Sequence, residues 1–153
     1  MNFAGLAGFF RHEFFLPELV SETKEEVLEE LIQPLIDDGK IKSRSLVLET
    51  LNKRETLGST GIGKGVAIPH CRTLAISGVQ IVAGISKKGI HYDAIDKKKV
   101  HLFFLIIAPP QEDSNLYLPI LGKIVEIMRN SRVRRSLMKV KDFSSFLDII
   151  QGV

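Results

Sequence analysis

The chain has little of several features that would mark a particular class of protein. It contains a single cysteine, Cys71, which excludes an internal disulfide and favours a reducing cytoplasm. Its longest unbroken apolar run, Leu102 to Ala108, is far shorter than the roughly 20 residues that a membrane-spanning helix needs. The net charge of +3 is too small to indicate nucleic-acid binding by itself. We therefore expect a cytoplasmic globular protein without membrane insertion or nucleic-acid binding.

The basic residues near the C-terminus leave that expectation unchanged. They lack the interleaved aromatic side chains on which bases stack, so a solvated face is favoured over a nucleic-acid site. The residues concerned are Arg129, Arg132, Arg134, Arg135, Lys139 and Lys141.

No repeat, low-complexity segment or interdomain linker interrupts the 153 residues, so we expect residues 1–153 to form one domain. The start lacks the basic residues and the small-residue cleavage site of a secretory signal. Residues 1–15 are interpreted as an apolar arm that packs on the domain or on a neighbouring subunit, which would make a homo-oligomer, because its phenylalanines would otherwise form an exposed apolar patch. These are Phe3, Phe9, Phe10, Phe14 and Phe15.

Two helices are predicted before residue 57. Thr23 with Glu26 forms a capping box, and apolar residues recur at helical spacing as far as Ile36. Pro34 is expected to kink this helix and Gly39 to end it. A second helix is predicted from Ser43 or Ser45 to Arg54.

The second half of the chain alternates strands and helices. Strands are predicted at Val79–Ile85 and at Val100–Ala108, which is apolar on both faces, with a loop at Gly89, His91 and Asp93. A third long helix is predicted from Ser114 or Asn115, with Pro119 in its first turn, followed by two shorter helices. This mixture predicts a layered α/β fold with helices on both faces of the sheet.

The segment from Gly58 to His70 carries the strongest functional signal. Four glycines fall in eight residues, and a short apolar run then leads to Pro69 and His70. A backbone with few side chains can point several N–H groups at an anion such as phosphate, with His70 as the nucleophile at its edge. Gly58 to Lys64 also fits part of a nucleotide P-loop, but Gly65 stands where that motif needs Ser or Thr. The plain alternative is a glycine-rich turn that enters a strand, with His70 only a polar residue at its end.

The run from Arg54-Glu55 through Gly58–Gly63 to Ala67–His70 resembles the signature of the enzyme IIA domains of the bacterial phosphotransferase system. Within them it is most similar to the fructose/mannitol class and its nitrogen-regulatory branch. The resemblance covers nearly everything from about Phe15 to the C-terminus. It implies a single α/β domain with a mixed sheet of about five strands.

The resemblance also implies a role for each residue of the signature. His70 would accept a phosphoryl group from the phosphohistidine carrier HPr or its nitrogen-branch relative, and Arg54 would balance the charge. The hydroxyls of Ser59 and Thr60 and the amides around Gly61 and Gly63 would hold the phosphoryl oxygens. The protein would then be a phosphotransferase-system component that needs no cofactor. No metal is implied, because the histidines His12, His70, His91 and His101 show no ligand spacing.

Two positions depart from the resemblance. Most relatives have a second histidine where Tyr117 stands, and a phenol can donate a hydrogen bond but cannot carry an imidazolium charge. Tyr117 is therefore included among the expected phosphate-binding residues, but it makes slower transfer more plausible. Cys71 follows His70 where many relatives have glycine, and a small buried filler is favoured over a reactive thiol.

Three functions remain open on the sequence. The protein passes the phosphoryl group to a sugar-specific enzyme IIB in sugar transport, or its phosphorylation state controls binding to a protein target, as in nitrogen regulation. The absence of a fused IIB or transporter domain favours the regulatory role modestly. The third is a homologue that binds a protein target and does not transfer phosphate, and Tyr117 is its best argument.

Overall fold

The computed structural model describes residues 2–152, and in it a mixed β-sheet lies between two layers of helices. The helices are α1 (Phe3–Ala7), α2 (Lys24–Asp37), α3 (Arg44–Thr56), α4 (Tyr117–Met128), α5 (Ser131–Leu137) and α6 (Phe143–Gln151), with a 3₁₀ turn at His12–Phe14. The strands are β1 (Phe15–Leu16), β2 (Gly61–Gly63), β3 (Val66–Ala67), β4 (His70–Arg72), β5 (Gln80–Ile90) and β6 (Val100–Ala108).

Strand β6 is the centre of the sheet. The sheet order is β1-β5-β6-β3-β2, and β4 pairs with β6 beyond the point where β3 ends. The β5 and β6 strands are antiparallel, whereas β3 and β4 run parallel to β6. His70 pairs with Ile106 and Arg72 with Ala108, so the end of β6 fixes the position of the predicted histidine. The expected α/β architecture is confirmed, with six strands in the sheet.

Alternation along β6 builds a separate apolar core on each face of the sheet. Phe103 points into the core formed with α2 and α3, and Phe104 into the core formed with α1, α4, α5 and α6. Both side chains are fully buried. A strand that is apolar at every position from Leu102 to Ala108 needs helices on both faces, which the structure has.

The helix ends follow the capping signals in the sequence. The Thr23 hydroxyl accepts a hydrogen bond from the Glu26 amide at 3.2 Å, and the Glu26 carboxylate accepts one from the Thr23 amide at 3.1 Å. Gly39 follows the end of α2 with a φ of +76°, a conformation that glycine adopts without strain. Ser43 caps α3 through the Leu46 amide, and this start places Arg54 in the last turn.

Two predicted boundaries were wrong for identifiable reasons. The third long helix begins at Tyr117 and not near Ser114 or Asn115, because Asn115 has a left-handed φ of +53°, and the Glu112 carboxylate accepts from the first helical amide, that of Tyr117, at 2.8 Å. Strand β5 continues through Gly89 to Ile90, with a shift in register after Ile85. The glycine was interpreted as a loop residue, but it marks an irregularity within the strand.

The N-terminal segment packs on the chain itself. Phe10, Phe14 and Phe15 are buried, and the rings of Phe10 and Phe146 of α6 meet edge to face with centroids 5.1 Å apart. Phe9 is half-buried, and the side chain of Phe3 lies outside the described residues. These contacts bury the phenylalanines within the chain, so their burial does not require a neighbouring subunit. Self-association through the arm stays a prediction.

Among residues 2–152, no helix combines the length and apolar character needed to cross a membrane.

Candidate functional site

His70 is half-buried at the start of β4, and the backbone fixes its tautomer. Its Nδ1 lies 2.8 Å from the carbonyl oxygen of Ile68. Because a carbonyl can only accept, Nδ1 carries the proton and Nε2 keeps its lone pair. Burial lowers the pKa of His70 below its ordinary value, while the bond to Ile68 opposes this shift and the charge of Arg54 reinforces it. The side chain is therefore a neutral imidazole near pH 7 whose Nε2 can act as a nucleophile.

Arg54 lies directly beside this nitrogen. Its Nε donates to His70 Nε2 in a long contact of 3.4 Å, and its Nη1 donates to the carbonyl oxygen of Gly58 at 2.9 Å. The last turn of α3 thus supplies the side chain, and the loop after it fixes the guanidinium. Arginine is always protonated and matches the geometry of phosphoryl oxygens, so it places a fixed positive charge next to Nε2 of His70.

Tyr117 and Arg72 form the other side of the site. The ring centroids of Tyr117 and His70 are 6.1 Å apart, and the guanidinium carbon of Arg72 lies 4.4 Å from the Tyr117 centroid. Burial raises the pKa of Tyr117, so its phenol stays protonated and can donate a hydrogen bond.

These residues line a surface depression of about 540 Å³. The complete lining is Thr50, Lys53, Arg54, Thr56, Leu57, His70, Cys71, Arg72 and Tyr117. The thiol of Cys71 is buried, and burial raises its pKa to about 12. A thiol that stays protonated is a poor nucleophile, which supports the interpretation of Cys71 as a small filler.

The structure brings Arg54, His70 and Tyr117 together but not the predicted residues of the glycine segment. The Ser59 hydroxyl accepts from the Gly61 amide at 3.0 Å and donates to the Tyr92 carbonyl at 3.3 Å. Thr60 is buried and donates both its amide and its hydroxyl to Glu55.

The two glycines pack against the loop that follows β5. A Cβ on Gly61 would lie 2.7 Å from that of Ala94, and one on Gly63, which has a φ of +94°, would lie 3.5 Å from both Ile95 and Asp96. Neither glycine lines the depression around His70. Phosphate binding by Ser59, Thr60, Gly61 and Gly63 therefore stays a prediction, and their contacts give each of them a structural role.

Sequence reasoning missed a polar network centred on Glu55. Its side chain is only 6% exposed, forms an ion pair with Lys24 at 2.9 Å and accepts both hydrogen bonds from Thr60. The fully buried Tyr92 places its hydroxyl 3.1 Å from that of Thr60, and the Lys24 ammonium lies 4.7 Å from its ring centroid. This network fixes the loop after α3, including the region of Gly58 that contacts Arg54.

Sequence reasoning also missed Arg72, although a signal was available. In a strand, residues two apart share a face, so Arg72 had to lie on the same side of β4 as His70.

Within residues 2–152, no group of three or more histidine, cysteine or acidic side chains is arranged to hold a metal ion.

Comparison with known proteins places the chain in a family. Residues 8–153 match the family described as "Phosphoenolpyruvate-dependent sugar phosphotransferase system, EIIA 2". The chain belongs to this family. The resemblance carried by the Arg54–His70 segment is therefore confirmed.

Some relatives of this EIIA-family protein are named as fructose-specific components, and others as nitrogen regulatory proteins. It is 31% identical over 131 residues to the fructose-specific EIIA component of Haloferax volcanii, which covers 86% of this chain and 84% of that protein. It is 33% identical over 130 residues to the fructose-specific EIIABC component of Bacillus subtilis, covering 85% of this chain but only 20% of that relative. The chain thus spans about a fifth of that protein's length.

A solved structure of a nitrogen regulatory protein has the same fold. The nitrogen regulatory protein IIA-Ntr from Neisseria meningitidis superposes with a TM-score of 0.86 at 28% identity, over 95% of this chain and 98% of that one. The layered fold and the mixed sheet are therefore those of a known EIIA-type protein.

Proposed function

We propose that this EIIA-family protein is a phosphoryl carrier that accepts a phosphoryl group on Nε2 of His70 from an HPr-type phosphohistidine carrier. The observation that carries the proposal is the hydrogen bond from Nδ1 to Ile68, which leaves the lone pair on Nε2, where it accepts only a long contact from Arg54. The lowered pKa of His70 keeps that lone pair available near neutral pH.

The transfer step exchanges one phosphorus–nitrogen bond for another. The Nε2 lone pair forms a bond to the incoming phosphorus atom while the bond to the donor imidazole breaks, and its electron pair stays on the donor nitrogen. The proton on Nδ1 remains where it is, and its bond to Ile68 stabilises the positive charge that the ring gains. Because charge spreads over the three equatorial oxygens, Arg54 and the Tyr117 phenol serve by position and by electrostatics.

The surface around the depression is suited to a protein partner. Leu57, which lines it, is 83% exposed, and Leu118, next to Tyr117, is 62% exposed. Leu74, which closely follows Arg72 in sequence, is 81% exposed. An exposed leucine in the depression, and two close in sequence to its lining residues, favour docking of a folded carrier whose own phosphohistidine must reach Nε2.

The acceptor of the phosphoryl group is one of two kinds. The names of the fructose-specific relatives support onward transfer to a sugar-specific enzyme IIB, and that of the nitrogen regulatory protein supports control of a protein target. A second candidate function is a homologue that binds a target without phosphotransfer. The observation that favours it is Tyr117 at the position where the resemblance expects a histidine.

The experiment that tests the carrier function is intact-mass spectrometry after incubation with enzyme I, HPr and phosphoenolpyruvate. We expect one added phosphoryl group that is labile to acid, that is lost in His70→Ala and that persists in His101→Ala, a control histidine on β6. No addition to the wild-type protein, with carriers shown to be active on another substrate, would contradict the proposal and favour the target-binding homologue. Two further measurements then distinguish the two roles. Transfer from the phosphorylated protein to enzyme IIB would support onward transfer, and phosphorylation-dependent capture of a protein target would support regulation.

A further inference from the structure

Arg72 shares a face of β4 with His70. The register of β4 against β6 is regular from His70 to Arg72, so no bulge disturbs the alternation of side chains. Cys71, between them, is buried in the core on the α2 and α3 side. His70 and Arg72 therefore both face the side of the sheet where α4 and Tyr117 lie.

The guanidinium of Arg72 is held in place without an ion pair. It stacks on the Tyr117 ring at 4.4 Å, and its Nη1 donates to the Pro110 carbonyl at 3.3 Å. No carboxylate among residues 2–152 lies within ion-pair distance of it. The carboxylate of Glu112 acts on Arg72 only from beyond that distance, and it accepts from the Tyr117 amide and the Ser114 hydroxyl. A cation with a fixed position and no paired anion is suited to an anionic ligand.

The site needs such a cation. A phosphoryl group on His70 carries nearly two negative charges, and Arg54 supplies one positive charge. Where the resemblance expects a histidine that could be protonated, Tyr117 offers only a neutral hydroxyl donor. Lys53 also lines the depression, but it is paired with Glu49 at 3.3 Å and is largely exposed.

We propose that Arg72 supplies the second positive charge for the phosphoryl group, and that the Tyr117 ring positions it, so that the two side chains together take the place of the second histidine. This inference rests on the proposed carrier function of His70. Arg72 takes part in no bond change: it keeps its protons and donates hydrogen bonds to the phosphoryl oxygens while the phosphorus–nitrogen bond forms at His70.

The first test measures the binding of inorganic phosphate, which requires no partner protein. The imidazole signals of His70 are followed by nitrogen-15 NMR during a phosphate titration of the wild type, Arg72→Gln and the control Lys53→Gln. We expect Arg72→Gln to weaken phosphate binding roughly tenfold, the usual effect of losing one charged hydrogen bond, and Lys53→Gln to change it less than twofold. Equal losses in the two variants, or no response of the wild-type His70 signals, would overturn the inference.

The second test separates the two side chains by rescue. Tyr117→Phe keeps the ring that positions Arg72 and should weaken phosphate binding less than Arg72→Gln does. Arg72→Lys keeps the charge without the planar stack and should fall between the wild type and Arg72→Gln. Tyr117→His, introduced into Arg72→Gln, should restore binding near pH 6, where imidazole is protonated, and less at pH 8. Failure of this rescue in a folded double variant would contradict a shared role.

Phosphoryl transfer kinetics distinguish failure of this inference from failure of the proposed function. In Arg72→Gln we expect a lower rate at saturating phosphorylated HPr, whereas Lys53→Gln should change mainly the HPr concentration needed for half-maximal rate. Wild-type phosphorylation with equal rates in both variants would refute the role of Arg72 and leave the carrier function standing. If the wild-type protein is never phosphorylated but Arg72→Gln still weakens its phosphate binding, the carrier function would be refuted and phosphate binding by Arg72 would stand.

Discussion

At the scale of single residues, His70 links the chemistry of the site to the stability of the fold. Burial, reinforced by the charge of Arg54, lowers its pKa in the folded protein below the ordinary value of 6.5. The unfolded chain therefore takes up the proton first as the pH falls. The contribution of neutral His70 to folding stability is complete above about 6.5 and is lost as the pH falls through the folded-state pKa.

This linkage predicts a pH-dependent difference between the wild type and His70→Ala. The difference in their free energies of unfolding, measured with urea from pH 8 to pH 5, should shift against the wild type as the pH falls below 6.5. NMR titration should give a His70 pKa below 6.5 that rises in Arg54→Gln, because that substitution removes a charge that lowers it. Lys53→Gln serves as the control for charge in the same depression. A wild-type pKa at or above 6.5 would contradict the burial argument.

At the scale of elements, two glycines differ in what a larger side chain would meet at their positions. Gly61 in β2 lies so close to the loop after β5 that an added Cβ would be 2.8 Å from the Cα of Ala94. Gly122 in α4 is exposed, and nothing lies within 4 Å of the place of its Cβ. The first glycine permits a close backbone approach, whereas the second only weakens a helix.

The two positions predict opposite effects of alanine. Gly61→Ala should lower the free energy of unfolding by about 1–3 kcal/mol, because the loop backbone must shift. Gly122→Ala should raise it by about 0.5–1 kcal/mol, because alanine has the higher helix propensity. Urea unfolding of both variants checks this, with Gly122→Ala as the matched control. A neutral Gly61→Ala would mean that this signature glycine has no packing role.

The same elements show what could be predicted from the sequence. Thr23 with Glu26, the helical spacing in α2 and the apolar run of β6 are local signals, so these elements and the layered fold were predicted correctly. The Glu55 network was not, because Thr60 and Tyr92 are 32 residues apart and meet only after the sheet has formed. No periodicity indicates such a contact.

The candidate site likewise contains residues that were predicted from the sequence and residues that were not. Arg54, His70 and Tyr117 were predicted through the family signature and one of its two departures, and the structure brings them together. Arg72 could have been found from strand alternation alone, but only once His70 was known to begin a strand. The glycine segment was interpreted as a phosphate cradle because a sequence shows that side chains are small, but not that Gly61 packs against Ala94.

At the scale of the whole molecule, the two cores share one strand. Phe103 and Phe104 of β6 enter opposite cores, so loss of either core removes the support of the sheet for the other. The chain has two tyrosines and no tryptophan, and one tyrosine lies in each core: Tyr92 with Phe103, and Tyr117 with Phe104. Each tyrosine can therefore report the unfolding of its own core.

This arrangement predicts that damage to one core is felt in the other. In a Tyr117→Phe background, Tyr92 fluorescence follows the core of α2 and α3 during urea unfolding. Phe104→Leu, in the opposite core, should lower the midpoint of that signal, and so should the matched Phe103→Leu in the reporter's own core. Each should lower the free energy of unfolding by about 1–2 kcal/mol, as expected for a partial loss of buried volume. If Phe104→Leu left the Tyr92 transition unchanged while Phe103→Leu shifted it, the two cores would unfold independently. The strand that positions His70 would then depend on only one of them.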